Sequence, residues 1–491
     1  MLKKQYYTVA FFAIFSLSAN MQTTKAQTTK AQTTWSLEKC VQYAADNNLQ
    51  LKQSALQVGN AVLQQAQAKA QQMPTVNGSF QPSLNLGRSV DPTSNSFANQ
   101  TIFSNSYSVS GNYTLYAGGT IKNGIKQADI DIAASKADAA TVLNNIALSV
   151  AQAYLNVLQA EDNLKAANEN LAQTKRQLTQ IQKFINAGSL PAGNRLDLEA
   201  AEAANEQMIV QGENVVAAAY LSLKMLMNAP MNDDFLVEHL EIAIPADNLA
   251  TLTATNLYEK AIATQPQIQA ADLRRKSAEV TVAIANGRGL PTVQTFGSLR
   301  TNYSSLGKQL AGIEQGTAQY FGDLYIPASP TAPENYLPLL VRQPKVVLEN
   351  TPYFKQIADN FSTTVGISVS IPIYQGRQVK IATERAKLQV QLASVQAEQT
   401  KRQLNNDVTL ALANAKAAQK VLQAAQKTLK ARELAYANSE KRFAAGAANS
   451  FELSTAQSVL DNARLNVIEK KYDYLFKLKI VDFYQGIPIK L

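Results

Sequence analysis

The tetrapeptide Leu115-Tyr116-Ala117-Gly118 recurs as Ile373-Tyr374-Gln375-Gly376, and Asn186-Ala187-Gly188 recurs as Ala444-Ala445-Gly446. Both pairs are separated by the same number of residues, so a stretch of about 70 residues occurs twice without insertion. Repetition at a fixed offset indicates a structural unit that is present more than once. We therefore predict two copies of one unit.

Each copy begins with a helical pattern that ends at a proline. Residues 36–72 show this pattern, and so do residues 256–288. Pro74 and Pro291 follow in the matching sequences Met-Pro-Thr-Val and Leu-Pro-Thr-Val. The residue before a proline disfavours the α conformation, so each helix is predicted to end there.

Beyond each proline the apolar period changes to two, which is typical of a strand with one apolar and one polar face. The apolar members are Tyr107, Val109, Tyr113 and Leu115 in the first copy, and Val365, Ile367, Val369, Ile371 and Ile373 in the second. We predict one strand pair over 75–116 and another over 292–374. The second pair encloses a loop over 304–360, whose six prolines from Pro327 to Pro352 predict an ordered but irregular segment.

A heptad pattern follows each strand pair and predicts a long coiled-coil helix, over 120–186 in the first copy and 377–444 in the second. The heptad positions are Leu143, Val150, Val157, Leu164, Leu171, Leu178 and Ile185 in the first copy, and Val408, Ala415, Leu422, Leu429, Tyr436 and Phe443 in the second. A helix over 120–186 would be roughly 100 Å long at about 1.5 Å per residue. Such a rod needs neighbours to bury its apolar seam.

Each long helix is predicted to turn at a glycine, Gly188 or Gly446, and to run back as a second helix over 195–228 or 450–484. The predicted organisation is therefore a first repeat over 36–228, a linker over 229–255, a second repeat over 256–484 and a C-terminal tail over 485–491.

The N-terminus predicts export. Lys3 and Lys4 precede an apolar run that is too short to span a bilayer, and small residues follow it. We predict a signal peptide over 1–26 and a polar segment over 27–35. No run of 18 apolar residues exists beyond residue 30, so no transmembrane helix is expected.

The composition argues against catalysis. The 491 residues include one histidine, His239, and one cysteine, Cys40. A His/Cys zinc site is therefore not possible, and no Ser-His or Cys-His catalytic pair with a further supporting residue is apparent in the sequence. We predict no enzymatic activity, no metal and no cofactor. The formal net charge of +9 is scattered along the chain, so no nucleic-acid partner is predicted. His239 is interpreted as a surface residue and Cys40 as a small packed one, because charges beside Cys40 argue against lipid attachment.

Four amphipathic strands cannot close a barrel alone, because known single-chain membrane barrels begin at about eight strands. Strands cross a membrane only in a closed barrel, since every backbone polar group must be paired. The four strands therefore need strands from other chains, or a soluble layer that covers their apolar face. Oligomerisation supplies the first and also gives the long helices neighbours.

The duplicated order of helix, proline, strand pair, Tyr-x-Gly, heptad helix, glycine turn and returning helix resembles the TolC-type outer-membrane efflux proteins. The resemblance implies a mainly α fold with a β-barrel contribution. Three copies would form a twelve-stranded barrel in the outer membrane of a Gram-negative bacterium, continuous with a periplasmic α-helical tunnel. It further implies contact with outer-membrane lipid, a periplasmic adaptor and an inner-membrane pump of RND or ABC type.

The resemblance also implies a gate of acidic residues after the two glycine turns, where the tunnel narrows. Asp197 and Glu452 occupy the matching positions, and Glu199 and Glu202 are further candidates. Thr455 stands where some members carry a second acid, Ala448 stands where members carry a latch arginine, and the aromatic Phe443 is retained. Acidic residues in a first helical turn also simply favour the helix dipole, and both interpretations stay open.

Gly188 and Gly446 mark the tips expected to dock the adaptor. The barrel-to-helix junction is expected at Tyr116, Gly118, Tyr374 and Gly376, with the tyrosines either at the bilayer interface or packed at a corner.

Three other functions fit part of the pattern. A duct for type I protein secretion would have the same sequence features, because the pump selects the cargo. A secreted coiled-coil adhesin would not need matching strands in both halves. A periplasmic adaptor would carry one helical hairpin between two halves of compact β domains, without a duplicated unit.

Overall fold

The computed structural model describes residues 33–91, 95–232, 235–239, 249, 251–327 and 336–487. The predicted signal peptide, most of the polar segment after it, and residues 488–491 of the predicted tail lie outside the described residues.

Two series of elements share one order along the chain. The first is β1 (Thr33–Trp35), α1 (Leu37–Asn47), α2 (Leu49–Ala70), β2 (Thr75–Asn85), β3 (Arg88–Val90), β4 (Phe97–Asn99), β5 (Ile102–Ala117), α3 (Thr120–Asn186) and α4 (Asn194–Met227). The second, after β6 (Phe235–Val237), is α5 (Ala254–Thr264), α6 (Pro266–Gly287), β7 (Thr292–Ser304), β8 (Lys308–Pro327), β9 (Tyr336–Asn350), α7 (Tyr353–Asp359), β10 (Ser362–Ser370), α8 (Gln378–Ala444) and α9 (Ser450–Tyr484). The mainly α fold with two sets of strands is as predicted.

Each leading helix is broken once. Asn48 separates α1 from α2, and its side chain accepts a hydrogen bond from the Gln50 backbone N–H over 2.8 Å as an N-cap. Gln265 separates α5 from α6 because Pro266 follows it and disfavours helical backbone before it. The predicted single helices over 36–72 and 256–288 are thus helix pairs, interrupted at corresponding positions.

The two long helices, α3 and α8, contain 67 residues each and form the body of the molecule. α3 packs against α2, α4, α6 and α9, and α8 packs against α6 and α9. Several of the predicted heptad residues are buried, namely Val150 and Val157 on α3 and Val408, Ala415, Leu422, Tyr436 and Phe443 on α8. The heptad pattern therefore does mark the contact surface between neighbouring helices.

Within the described residues, no helix is both long enough and apolar enough to cross a bilayer.

Four strands, two from each series, form one antiparallel sheet in the order β10-β7-β5-β2. The strand predicted to run to residue 374 ends earlier, since β10 stops at Ser370. Pro372 has no backbone N–H to donate to a neighbouring strand, which explains why pairing does not continue to Ile373.

Residues 328–335 of the segment 304–360 lie outside the described residues, and the rest of it is not the irregular loop that its prolines predicted. β8 and β9 form a separate two-stranded antiparallel sheet, and the short helix α7 follows it. Prolines are accommodated because both strands are edge strands, whose outward-facing positions need no hydrogen-bond donor. Register shifts lie beside Pro344 and Pro338, which pair with Gln315 and Tyr325.

The predicted linker over 229–255 contains a strand. β6 pairs in parallel with β1, and the Tyr154 hydroxyl lies 3.1 Å from the Trp35 carbonyl oxygen and 3.0 Å from that of Glu238. The half-exposed His239 ring lies 3.1 Å from an Asp162 carboxylate oxygen, so it is a surface residue that contacts α3.

Candidate functional site

The two helical hairpins, α3–α4 and α8–α9, have tips of the same geometry. Gly188 and Gly446 have φ angles of +69° and +75°, a region that glycine enters without Cβ strain. The Ser189 N–H donates to the Phe184 carbonyl oxygen over 2.9 Å, and the Ala447 N–H donates to that of Arg442 over 2.7 Å. Both bonds span five residues, as in a Schellman C-cap.

Asp197 lies in the first turn of α4 and joins the two hairpins. Its carboxylate accepts a hydrogen bond from the Ser450 hydroxyl, at the start of α9, over 3.0 Å. Within the described residues no basic side chain forms an ion pair with Asp197. The Asp197 side chain is exposed at the tip.

The other three acidic candidates each have a basic partner. Glu452 forms an ion pair with Arg442 across the α8–α9 turn. Arg195 lies 2.9 Å from Glu199, and Lys175 lies 3.6 Å from Glu202. The pairs of Glu452 and Glu202 form only when the hairpins fold, because their partners lie on the other helix of the hairpin. The pair of Arg195 and Glu199 is four residues apart on one helix and could have been predicted from the sequence.

Phe443 is buried in an apolar cluster at the tips, and its ring is therefore not exposed. The other buried members are Ile181, Leu198, Tyr436, Leu453 and Leu460. The Thr455 hydroxyl donates to the Phe451 carbonyl oxygen over 2.8 Å, within its own helix. Glu452, Thr455 and the exposed Phe451 line a shallow groove of about 500 Å³ between α8 and α9.

A polar network that the sequence did not indicate lies just behind the tips. The Tyr436 hydroxyl accepts hydrogen bonds from the side-chain amides of Gln173, over 2.7 Å, and Gln177, over 2.8 Å. Gln173 also donates to Gln457, over 2.9 Å, and Gln457 donates to Asp461 over 2.7 Å. Burial raises the pKa of Asp461 to about 6. The network connects α3, α8 and α9.

The predicted junction residues lie between the sheet and the long helices. Gly118 and Gly376 have φ angles of +60° and +57°. A Cβ added at Gly118 would collide with the Gly287 carbonyl oxygen of α6, whereas the space around Gly376 is open. Tyr116 and Tyr374 are both exposed, by 48% and 81%, so neither is packed into a corner of this chain.

The four-stranded sheet has one apolar and one polar face. Residues directly opposite each other in the register share a face. On the apolar face the rings of Phe80 and Tyr107 stack with centroids 4.8 Å apart. On the polar face Ser79 and Ser108 share a hydrogen bond of 2.7 Å, and Arg300 is opposite Ser108.

The edges of this sheet, β2 and β10, are exposed along nearly their whole length. The apolar side chains of β10 include Val365, which is 77% exposed, and Ile367, which is 68% exposed. Within the part of the chain that the structure describes, the sheet thus has two unpaired edges. Its apolar face is covered by α7 near Tyr107, whose hydroxyl lies 2.7 Å from that of Tyr353, and is exposed along β10.

No three His, Cys, Asp or Glu side chains of the described residues are grouped closely enough to hold a metal ion.

The fold closely resembles several solved structures. CusC superposes with a TM-score of 0.70 at 16% identity, over 93% of both chains. The outer membrane protein VceC from Vibrio cholerae gives 0.68 at 14% identity, over 92% of this chain and 96% of VceC. The Campylobacter jejuni CmeC outer membrane channel gives 0.67 at 16% identity, over 96% and 94% of the two chains.

No curated protein matches the sequence. The family model described as "Outer membrane efflux protein" matches residues 40–229 and 257–479, which are most of the chain and fall in its two copies. The chain belongs to the outer membrane efflux protein family.

Proposed function

We propose that three copies of this chain form a passive exit duct in the outer membrane of a Gram-negative bacterium, acting with a periplasmic adaptor and an inner-membrane pump. The observation that carries the proposal is the sheet with two free edges. Neighbouring strands alternate in direction in the order β10-β7-β5-β2, so β2 and β10 run in opposite directions. The β2 edge of one copy can therefore pair antiparallel with the β10 edge of the next, and three copies give a ring of twelve strands.

The two faces of the sheet indicate which face lies outside the closed ring and which lies inside it. An apolar outer face suits lipid, and a polar inner face suits a water-filled bore.

Exposed apolar residues on the long helices support the same assembly. Leu388, Leu392 and Val395 are spaced along one side of α8 and are more than half exposed, as expected of a surface that a neighbouring copy covers.

In this assembly the repeats over 36–228 and 256–484 each contribute two strands and one helical hairpin. The tips at Gly188 and Gly446 lie at the periplasmic end and dock the adaptor. The exposed Tyr116 and Tyr374 lie at the inner edge of the bilayer, where aromatic side chains are favoured.

The gate of the duct is formed by the tips. Asp197 is its main charge, because Glu452, Glu199 and Glu202 are each paired with a base. The Asp197 bond to Ser450 holds the two hairpins together and has to break when the tips separate. In single-channel recordings, Asp197→Ala with Glu452→Ala should lower both the preference for cations and the block by trivalent cations. Unchanged selectivity and block in the double variant would reject the gate.

The function itself is tested in cells. Deletion of the gene should raise the intracellular accumulation of small toxic compounds, and expression of the wild-type chain should restore export only when an adaptor and a pump are present. The chain should be recovered from the outer-membrane fraction as a trimer band that disappears on heating. Normal export of small compounds together with loss of a secreted polypeptide would replace efflux by type I secretion. Recovery in a soluble fraction would overturn both.

A further inference from the structure

One charged side chain lies within the four-stranded sheet. β2, β5, β7 and β10 contain no Asp, Glu or Lys, and Arg300 is their only arginine. Its neighbours across the sheet are Ser108 on β5 and Ser362 on β10, and Ser108 is in turn opposite Ser79 on β2. A single arginine therefore lies in a row of serines.

Arg300 belongs to the polar face. Ser79 and Ser108 point to the same side, since their hydroxyls share a hydrogen bond of 2.7 Å. Arg300 is paired directly with Ser108 and therefore has the same orientation. The next residue, Thr301, pairs with Tyr107, whose ring stacks on Phe80 on the apolar face.

Whether Arg300 is compatible with insertion into a membrane depends on its position along the strand and on the face of the sheet it occupies. Arg300 is the ninth of the 13 residues of β7 and pairs with Ser362, the first residue of β10, so it lies nearer the β7–β8 end of the sheet than its middle. On the lipid face of a barrel strand an arginine is destabilising, most strongly at the bilayer midplane and less toward the interfaces. On the polar face it is hydrated in the bore, and the position is compatible with insertion.

No carboxylate among the described residues pairs with Arg300. The side chain is exposed, and within the described residues it forms no ion pair. In the proposed trimer the nearest strands of a neighbouring copy are again β2 and β10, and they contain no Asp or Glu. The guanidinium charge is thus uncompensated, in contrast to the three paired acids at the tips.

We propose that Arg300 is a selectivity-determining residue, and that three copies of it form a cationic ring in the bore that attracts anionic cargo. This inference rests on the proposed trimeric duct. Like charges around a narrow aqueous bore add their fields, so the ring raises the local concentration of anions and repels cations. At this ring the favoured class is organic anions with carboxylate, sulfonate or phosphate groups, whereas Asp197 at the tips favours cations.

Reversal potentials of purified channels in planar lipid bilayers under a KCl gradient test the ring. Arg300→Gln should reduce the chloride-to-potassium permeability ratio by about two-fold or more, Arg300→Lys should keep it, and Arg300→Glu should shift it further toward potassium. Citrate should inhibit the wild-type current more strongly than that of Arg300→Gln. Lys345→Gln is the matched control, since it removes one exposed positive charge from the separate β8–β9 sheet.

Channels of Arg300→Gln with the wild-type permeability ratio and the wild-type block by citrate would overturn the ring but leave the duct intact. Failure of the wild-type protein to form channels would overturn the proposed duct, and the ring with it. Trimer bands on unheated gels, compared between Arg300→Gln and Arg300→Lys, show whether a changed ratio comes from assembled channels.

Discussion

Gly118 and Gly376 occupy matching positions in the two copies but have different surroundings. Both have φ near +60°, which costs a residue with a Cβ roughly 1–2 kcal/mol. Only Gly118 also faces backbone, because the Gly287 carbonyl oxygen of α6 lies where its Cβ would be. The same tetrapeptide pattern therefore has a packing role in the first copy and only a conformational role in the second.

We expect Gly118→Ala to lower the free energy of unfolding by more than about 3 kcal/mol, and Gly376→Ala to lower it by about 1 kcal/mol. Backbone strain is common to both variants, and the collision is specific to Gly118. Thermal unfolding followed by far-UV circular dichroism in detergent measures the difference. Equal losses in the two variants would show that the contact with Gly287 has no energetic weight.

Asp461 should make stability depend on pH in a specific direction. Its pKa is about 6 in the fold because burial disfavours the ionised form, whereas the ordinary value is 3.8. A raised carboxyl pKa destabilises the fold above pH 6, and this penalty disappears as the pH falls from about 6 toward 3.8. Asp461→Asn has no charge to bury at any of these pH values.

We expect Asp461→Asn to be more stable than wild type at pH 7, by about 1–2 kcal/mol, with the difference gone near pH 4. The midpoint of thermal unfolding at both pH values is the measurement. Asp473→Asn is the control on the same helix, because Asp473 is paired with Lys477 over 2.8 Å. A difference between wild type and Asp461→Asn that stays constant from pH 7 to pH 4 would contradict the effect of burial.

The hairpin of β8 and β9 and the short helix α7 lie between two strands of the main sheet but contribute to it differently. β8 and β9 pair with each other and with no strand of the main sheet. The buried Gln356 of α7 instead joins β7, because its side chain accepts from the Ser304 N–H and donates to the Ser304 carbonyl oxygen, each over 3.0 Å. Other contacts of α7 add to this one, since the Tyr353 hydroxyl lies 2.7 Å from that of Tyr107 and the Thr301 hydroxyl donates to the Ile357 carbonyl oxygen over 2.6 Å. The connection is therefore held by α7 rather than by the long strands.

We expect excision of residues 309–349, with Lys308 and Asn350 joined by a two-residue turn, to cost less than about 1 kcal/mol of stability. Gln356→Ala should cost about 2 kcal/mol or more, because the buried backbone N–H and carbonyl of Ser304 lose their partner. Thermal unfolding of the two variants makes the comparison. A larger loss from the excision would mean that the hairpin supports the sheet.

Local periodicity predicted much of the architecture, and long-range contacts account for most of the rest. The seam residues Val150 and Val157 show the helical repeat directly, and Val365 and Val369 show the alternation of a strand. Pro338 and Pro344 favour irregular structure locally, but pairing between β8 and β9 compensates for them. The ion pair of Arg442 and Glu452 joins residues on two sides of a turn and needs the folded hairpin.

The candidate site was predictable in its position but not in its charge. The two glycine turns locate the tips, and acidic residues follow both. Only the structure shows that Glu452 is neutralised while Asp197 is bonded to Ser450. Tyr436 was identified as a seam residue, but its hydrogen bonds to Gln173 and Gln177 depend on helices from both copies. Arg300 was not singled out, because its significance depends on the register of four strands.

The whole molecule is incomplete as a single chain. Its sheet presents an apolar face and two free edges, and the outer side of α8 carries apolar residues with no partner among the described residues. These surfaces become buried together if three copies close a ring of twelve strands, which lies within the range of sizes known for membrane barrels.

The mass of the intact assembly tests this claim most directly. Native mass spectrometry of the protein extracted from outer membranes in detergent should give three times the mass of the mature chain, where the full chain is 53.3 kDa. Heating should convert this species into single chains. A stable monomer that stays in solution after the detergent is removed would contradict the account.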